Sequence, residues 1–337
     1  MKTKTERRQF VRAATASVVL ALVQASANAQ AQPAATADAK APLKLVVGFP
    51  PGGPLDTLAR ALAEQLRTAT GETVLVENRP GASTRISIDF AKRAPADGKT
   101  VLLASSAPFI IFPMTYKRLD YDVDRDFIPV AHLVDVPTVV STSASSPYQN
   151  IGQYVAWVRA HPDRGAVGLT SLGGLLHFSI LAMSRTIGVP LNPVSYKGGA
   201  PLATDLVGGH VPIGTDALAS QLELHRAGRV RILGVSGTRR NPALPDVPTL
   251  KEAGIEGFEH ANAWYGAYVP AGTPPAVVQR LERALIAAVN QPHVQAQLAR
   301  AGLEPTGFDG ATAAKLLRTE RAFWRPIVEA SGFKSGE

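Results

Sequence analysis

Val46-Val47-Gly48-Phe49-Pro50-Pro51-Gly52-Gly53-Pro54-Leu55-Asp56 is a strand-forming run that breaks into a rigid, glycine-bearing turn and then opens a helix. Beyond the turn, Leu58, Leu62 and Leu66 recur every fourth residue, the spacing of one helical face. The layout returns twice: Leu169-Thr170-Ser171 runs into Gly173-Gly174, and Val194-Ser195-Tyr196 runs into Lys197-Gly198-Gly199. A fourth strand, Leu102-Leu103-Ala104, ends at Ser105-Ser106. Open α/β sheets bind ligands at the carboxyl ends of their strands. Glycines there let backbone N–H groups approach a ligand, and helix N-termini favour anions.

Outward from this stretch, β-branched runs alternate with helical patterns. Candidate strands are 43–49, 73–77, 100–104, 138–142, 167–169, 194–196, 211–214, 230–235 and 264–269. Val277, Leu281, Leu285 and Val289 share helical spacing, with Thr273 as N-cap and Pro274-Pro275 in the first turn. Thr249-Leu250-Lys251-Glu252 reads as a capping box whose short helix ends at Gly254, and another helix runs from near Pro201 to Gly208-Gly209. Such alternation argues for α/β domains with mainly parallel sheets.

The N-terminus combines basic residues (Lys2, Lys4, Arg7, Arg8, Arg12), an apolar run of eleven residues over 13–23, and Ala27-Asn28-Ala29. This is the layout of a cleavable signal peptide over 1–29, since the run is too short for about 30 Å of hydrocarbon. Glu6-Arg7-Arg8-Gln9-Phe10-Val11-Arg12 resembles a twin-arginine export signal, departing in its Glu before the pair and its final Arg; an ordinary secretory signal containing Arg-Arg is the alternative. Residues 30–42 read as a disordered lead-in. Lys and Arg number 35 against 27 Asp and Glu, a formal charge of +8; residues 1–29 carry five of the bases and one of the acids, which leaves 30 against 26, or +4. With no basic stripe interleaved with aromatics, nucleic acid is not expected as a partner. There is no cysteine, and the seven histidines form no metal-binding pattern, so no thiolate chemistry and no metal are expected.

As a phosphate loop the first turn fails, because Pro54 stands where the motif needs Lys; the dinucleotide spacing is also absent. Asp56 is then a cap or first-turn acid, or a ligand contact. Ser171, His177 and Asp216 invite a hydrolase reading, but Leu169 occupies the place of the glycine two residues before a nucleophile-elbow serine. His177, near a helix start, is a capping or core residue or a cleft hydrogen-bond donor. Asp216 pairs with a ligand cation or is a solvated loop acid. Tyr196-Lys197-Gly198 is a cleft edge or an exposed turn.

Read in order, Val47-Gly48-Phe49-Pro50-Pro51-Gly52-Gly53 with Asp56, Val76-Glu77-Asn78-Arg79-Pro80-Gly81-Ala82, Ala96-Asp97-Gly98-Lys99-Thr100, Tyr121-Asp122 with Asp126-Phe127, Tyr196-Lys197-Gly198, Leu244-Pro245-Asp246-Val247-Pro248-Thr249 and Pro270-Ala271-Gly272-Thr273-Pro274 resemble the Bug (TctC-type) family. These are extracytoplasmic solute receptors of tripartite tricarboxylate transporters. The resemblance implies a type II periplasmic-binding-protein fold, two α/β lobes joined by two crossing strands around a ligand cleft. It implies a small carboxylate as cargo, no enzyme activity, no cofactor and a periplasmic location. Its partners would be the membrane permease subunits of such a transporter, or a sensor kinase, with the receptor itself a monomer.

On that resemblance the cleft is lined by Phe49, Pro51, Gly52 and Gly53, by Ser105 and Ser106, by Ser171, Gly173, Gly174 and His177, and by Tyr196, Lys197 and Gly198, with Asp216 at a cargo-dependent position. Where the family continues Gly-Ala-Gly-Gly, this chain has Gly81-Ala82-Ser83-Thr84 and then Arg85, which adds Ser83, Thr84 and Arg85 as candidates. The first lobe is expected over 43–138 with 262–337, the second over 139–261, with the strands 138–142 and 264–269 as crossings.

Overall fold

The computed structural model describes residues 41–170 and 172–335. The expected signal peptide, nearly all of the lead-in and Ser171 lie outside the described residues. The strands in chain order are β1 (Leu43–Val47), β2 (Val74–Asn78), β3 (Thr100–Ser105), β4 (Phe127–Val136), β5 (Thr138–Ser143), β6 (Ala166–Leu169), β7 (Asn192–Ser195), β8 (Ile213–Ala217), β9 (Val230–Val235), β10 (Ala263–Pro270) and β11 (Glu304–Asp309). They form two sheets, one in the order β11-β4-β10-β3-β1-β2 and one in the order β7-β6-β8-β5-β9.

The first sheet is covered on both faces, which is why its central strands are continuously apolar rather than alternating. In β1, Leu45 and Val47 point into a core shared with Leu58, Leu62, Leu103 and Leu285. Val46, one residue out of phase, joins Leu102, Phe109, Tyr268 and Trp324 on the opposite face. The helix Pro54–Thr70 begins on proline, buries Leu55, Leu58, Leu62 and Leu66, and ends at Gly71 in the left-handed region (φ 69°). In the second sheet, Val140, Val167, Leu169 and Leu233 pack with Ile180, Met183 and Phe258.

The chain passes from the first sheet to the second at Pro137 and returns through residues 236–262, between β9 and β10. The strands expected as crossings are each confined to one sheet, because the passages fall at their ends. Ser236 pins the two passages together: its hydroxyl accepts the Thr138 N–H at 2.8 Å and donates to the Thr138 carbonyl at 2.9 Å.

Several expectations need correction. The sheets are mixed, not mainly parallel: β1 pairs in parallel with β2 and β3, and β6 with β7 and β8, while β10 runs antiparallel to β3 and β4, β11 to β4, and β5 to β8 and β9. Two of these antiparallel pairings involve strands that the sequence hides. β4 contains Pro129, which cannot donate to a ladder; it is accommodated opposite Tyr268 next to a register shift. β11 carries Pro305 and Gly307 at the sheet edge. Thr273 does not cap the helix Pro275–Val289, since its hydroxyl donates to the Pro270 carbonyl instead. The capping box at Thr249 forms with both reciprocal bonds, 3.0 and 2.9 Å, yet it closes a turn and not a helix. There Leu250 bonds back to the Val235 carbonyl, and Gly254 (φ 79°) ends the turn at once.

Candidate functional site

The ends of β1 and β3 and the turn after β6 converge on a cavity of about 340 Å³. Phe49 enters from the first turn, Ser83 and Thr84 from the segment after β2, and Ser105 from the end of β3. Leu172, Gly173 and Gly174 close it from the second sheet. Gly174 is the N-cap of the helix Leu175–Ile187, so the positive end of that helix dipole lies at the cavity wall. Gly173 has φ 77°, a conformation that keeps the turn tight and favours glycine.

The first turn is held by Asp56, which is 2% exposed. Its Oδ2 accepts the Gly52 N–H at 2.9 Å and Arg60 Nε at 2.8 Å; its Oδ1 accepts Asn78 Nδ2 at 2.9 Å. Burial alone would raise the Asp56 pKa, but the hydrogen bonds from Arg60, Gly52 and Asn78 outweigh it and hold the carboxyl below its ordinary value. Asn78 also donates to the Phe49 carbonyl at 3.0 Å, which fixes the residue that enters the cavity.

Backbone strain is concentrated next to the cavity. Ala82, Ser83 and Thr84 all have positive φ, at 46°, 53° and 73°, although none is glycine. Each such residue costs about 1–2 kcal/mol. Close packing holds the segment: a Cβ on Gly48 would stand 2.5 Å from Ser87 Oγ and 2.8 Å from Thr84 Cβ, so only glycine fits at the end of β1. Strain of this kind collects at ligand clamps.

Residues 58–333 match the family described as tripartite tricarboxylate transporter family receptor. The chain belongs to this family. A protein of the tcbD–tcbE intergenic region in Pseudomonas sp. (strain P51) is 34% identical to the receptor over 93% of this chain and 92% of its own length. Among solved structures, the periplasmic binding protein BugD is 31% identical with a TM-score of 0.70, over 88% of this chain and 99% of that one. R. palustris Rpa4515, solved with adipate, is 30% identical with a TM-score of 0.74, over 87% and 97%. The receptor shares with these the two-lobed α/β fold of periplasmic solute-binding proteins.

Of the residues that the sequence singles out, the receptor brings Phe49, Ser83, Thr84, Ser105, Gly173 and Gly174 to one cavity. The others stand outside its lining. Pro51 and Gly52 are exposed at the tip of the first turn, and the Gly53 carbonyl accepts the Thr57 N–H. Ser106 is fully buried and ties β3 to Trp264 through an N–H···O bond of 2.9 Å. Arg85 stacks over the Tyr116 ring at 4.7 Å, and its Nε donates to the Ala82 carbonyl. His177 lies behind the turn: its Nδ1 accepts the Gly173 N–H at 3.3 Å, and burial lowers its pKa, which keeps the imidazole neutral. Ser171 lies outside the described residues.

Tyr196 and Asp216 belong to a neighbouring group. The Tyr196 hydroxyl donates to Asp205 Oδ2 at 2.8 Å, and burial together with that carboxylate pushes its pKa up to about 12. Asp216 Oδ1 accepts the Thr170 hydroxyl at 2.9 Å; Oδ2 is buried with no hydrogen-bond partner among the described residues, beside Gly199 at the start of the helix Gly199–Gly208. Lys197 and Gly198 are exposed.

Sequence reasoning missed one wall of the receptor's cavity: Pro108, Phe112, Thr115 and Tyr116, which follow the Ser105-Ser106 strand end. The strand end itself was a usable signal, because the residues just after it necessarily surround the same opening. Ser335 had none. It reaches the cavity from the C-terminal tail, where its N–H donates to the Thr115 carbonyl at 2.9 Å.

Proposed function

We propose that the chain is an exported periplasmic receptor that captures a small carboxylate and closes its lobes around it, for delivery to the membrane subunits of a tripartite tricarboxylate-type transporter. The observation that carries this reading is the cavity at the strand ends. Its polar wall consists of the Ser83, Thr84 and Ser105 side chains and the Gly173-Gly174 turn at a helix N-terminus. Backbone amides and hydroxyls there suit an anionic group. The adipate in the solved relative from R. palustris supports a carboxylate as cargo. The basic, short apolar N-terminus and the periplasmic relatives support export. Binding free energy that favours the closed form makes that form the one a partner recognises.

A thermal-shift screen of mono- and dicarboxylates, amino acids and aromatic acids tests the proposal. A cognate acid at 100 times its Kd adds about 2.7 kcal/mol to stability and raises the melting temperature. Absence of a shift with every anion, together with turnover of an ester substrate, overturns it.

A further inference from the structure

We propose that the cavity selects an aromatic monocarboxylate, with Phe49 and Leu172 as the side chains that choose it. This deepens the carboxylate-receptor reading and rests on it. Small-molecule sites are lined mainly by apolar and aromatic side chains with a few polar groups. Phe49 is 37% exposed and Leu172 is 51% exposed, and both line this cavity, from the strand ends of different sheets. The lining also includes Pro108 and the Phe112 and Tyr116 rings, whose centroids lie 4.8 Å apart.

The polar side chains of the lining are all hydroxyls: Ser83, Thr84, Ser105, Thr115, Tyr116 and Ser335. Among the described residues no basic side chain lines the cavity; Arg85 stands outside its lining, stacked on Tyr116 with its Nε bound to the Ala82 carbonyl. A second carboxylate would therefore be enclosed there without a counter-charge, which is costly. A planar ring in that place stacks on the aromatic wall and covers Phe49 and Leu172. At about 340 Å³ the cavity stands near the lower end of ligand sites, the size for one ring bearing a carboxylate.

Isothermal titration of the full chain with benzoate, phenylacetate, malate and adipate reads this directly. The aromatic acids are expected to bind at least about tenfold more tightly than the open-chain diacids, and L172S to lower benzoate affinity by about tenfold. F49A, read in the same way, provides a second variant should L172S fail to fold. Tighter binding of malate or adipate than of benzoate overturns the aromatic selection and leaves the carboxylate receptor standing. Binding of none of the four, nor of any other carboxylate, overturns both. Benzoate affinity unchanged in a folded L172S removes Leu172 from the selecting residues.

Discussion

Gly52 donates its N–H to Asp56 Oδ2 at 2.9 Å, so the amide at the tip of the first turn is bound to the chain itself. With Arg60 and Asn78 on the same carboxylate, Asp56 acts as the clasp that presents Phe49 to the cavity. Replacing it by alanine leaves those donors unpaired, and D56A should lose about 2 kcal/mol in urea unfolding at pH 7. The folded pKa is depressed, so this contribution is present above the unfolded value near about 3.9 and is lost as pH falls through the folded one. The gap between wild type and D56A should therefore narrow in acid. A gap that stays constant down to about pH 2 would show that Asp56 acts by packing alone.

Relief of the left-handed segment should stabilise the fold. Ser83 has φ 53° and is exposed, so glycine removes the Cβ penalty without loss of packing. Glycine also adds freedom to the unfolded chain, which offsets part of the gain. S83G should gain about 0.5–1 kcal/mol in chemical denaturation. An equal loss would place the Ser83 side chain in a contact that outweighs the strain.

The strand ends, the one at Gly173-Gly174 that lines the cavity among them, were legible because glycine pairs and buried β-branched runs report local chemistry. Gly52-Gly53, Gly173-Gly174 and Gly198-Gly199 all stand where parallel strands give way to helices. What was not legible depends on contacts distant in sequence. β4 reads poorly as a strand because of Pro129, and only its place between β10 and β11 makes it one. Asp56 and Gly52 are four residues apart, and the choice between ligand contact and clasp needed Asn78, 22 residues further on. Ser335 meets Thr115, 220 residues earlier in the chain, and leaves no local trace.

The buried acid behind the passages gives a pH test away from the cleft. Glu320 is 4% exposed, and burial pushes its pKa up to about 8, with the nearby Asp135 adding to the rise and the Trp264 Nε1–H, donated at 3.2 Å, opposing it. It faces a separate space of about 270 Å³ together with His132, Asp135 and Glu304. The folded state keeps a proton that the unfolded chain releases above about pH 4.3, so stability falls as pH rises from there towards 8. E320Q still accepts from Trp264 and has no proton to lose. Its advantage over wild type should grow to the order of a few kcal/mol between pH 5 and 8 in denaturation curves. Glu304, raised by burial and by Asp135, leaves a residual slope in the variant. Parallel curves for the two proteins would mean that Glu320 is ionised at neutral pH.

The turn at the helix N-terminus is locked from behind by the C-terminal tail. A Cβ on Gly173 would meet the Phe333 ring at 2.6 Å, and Phe333 sits edge-on to His177 and Phe178 at 5.2 and 6.0 Å. Alanine at 173 must also adopt φ 77°, which costs about 1–2 kcal/mol by itself. Overpacking against the ring adds a similar amount, so G173A should lose about 3 kcal/mol. F333A alone should lose about 1–2 kcal/mol of buried ring surface. In the double variant the collision is gone while the backbone penalty stays, and the combined loss should fall short of the sum by about 1 kcal/mol. Strict additivity would mean that Phe333 moves aside freely and that the tail does not brace the turn.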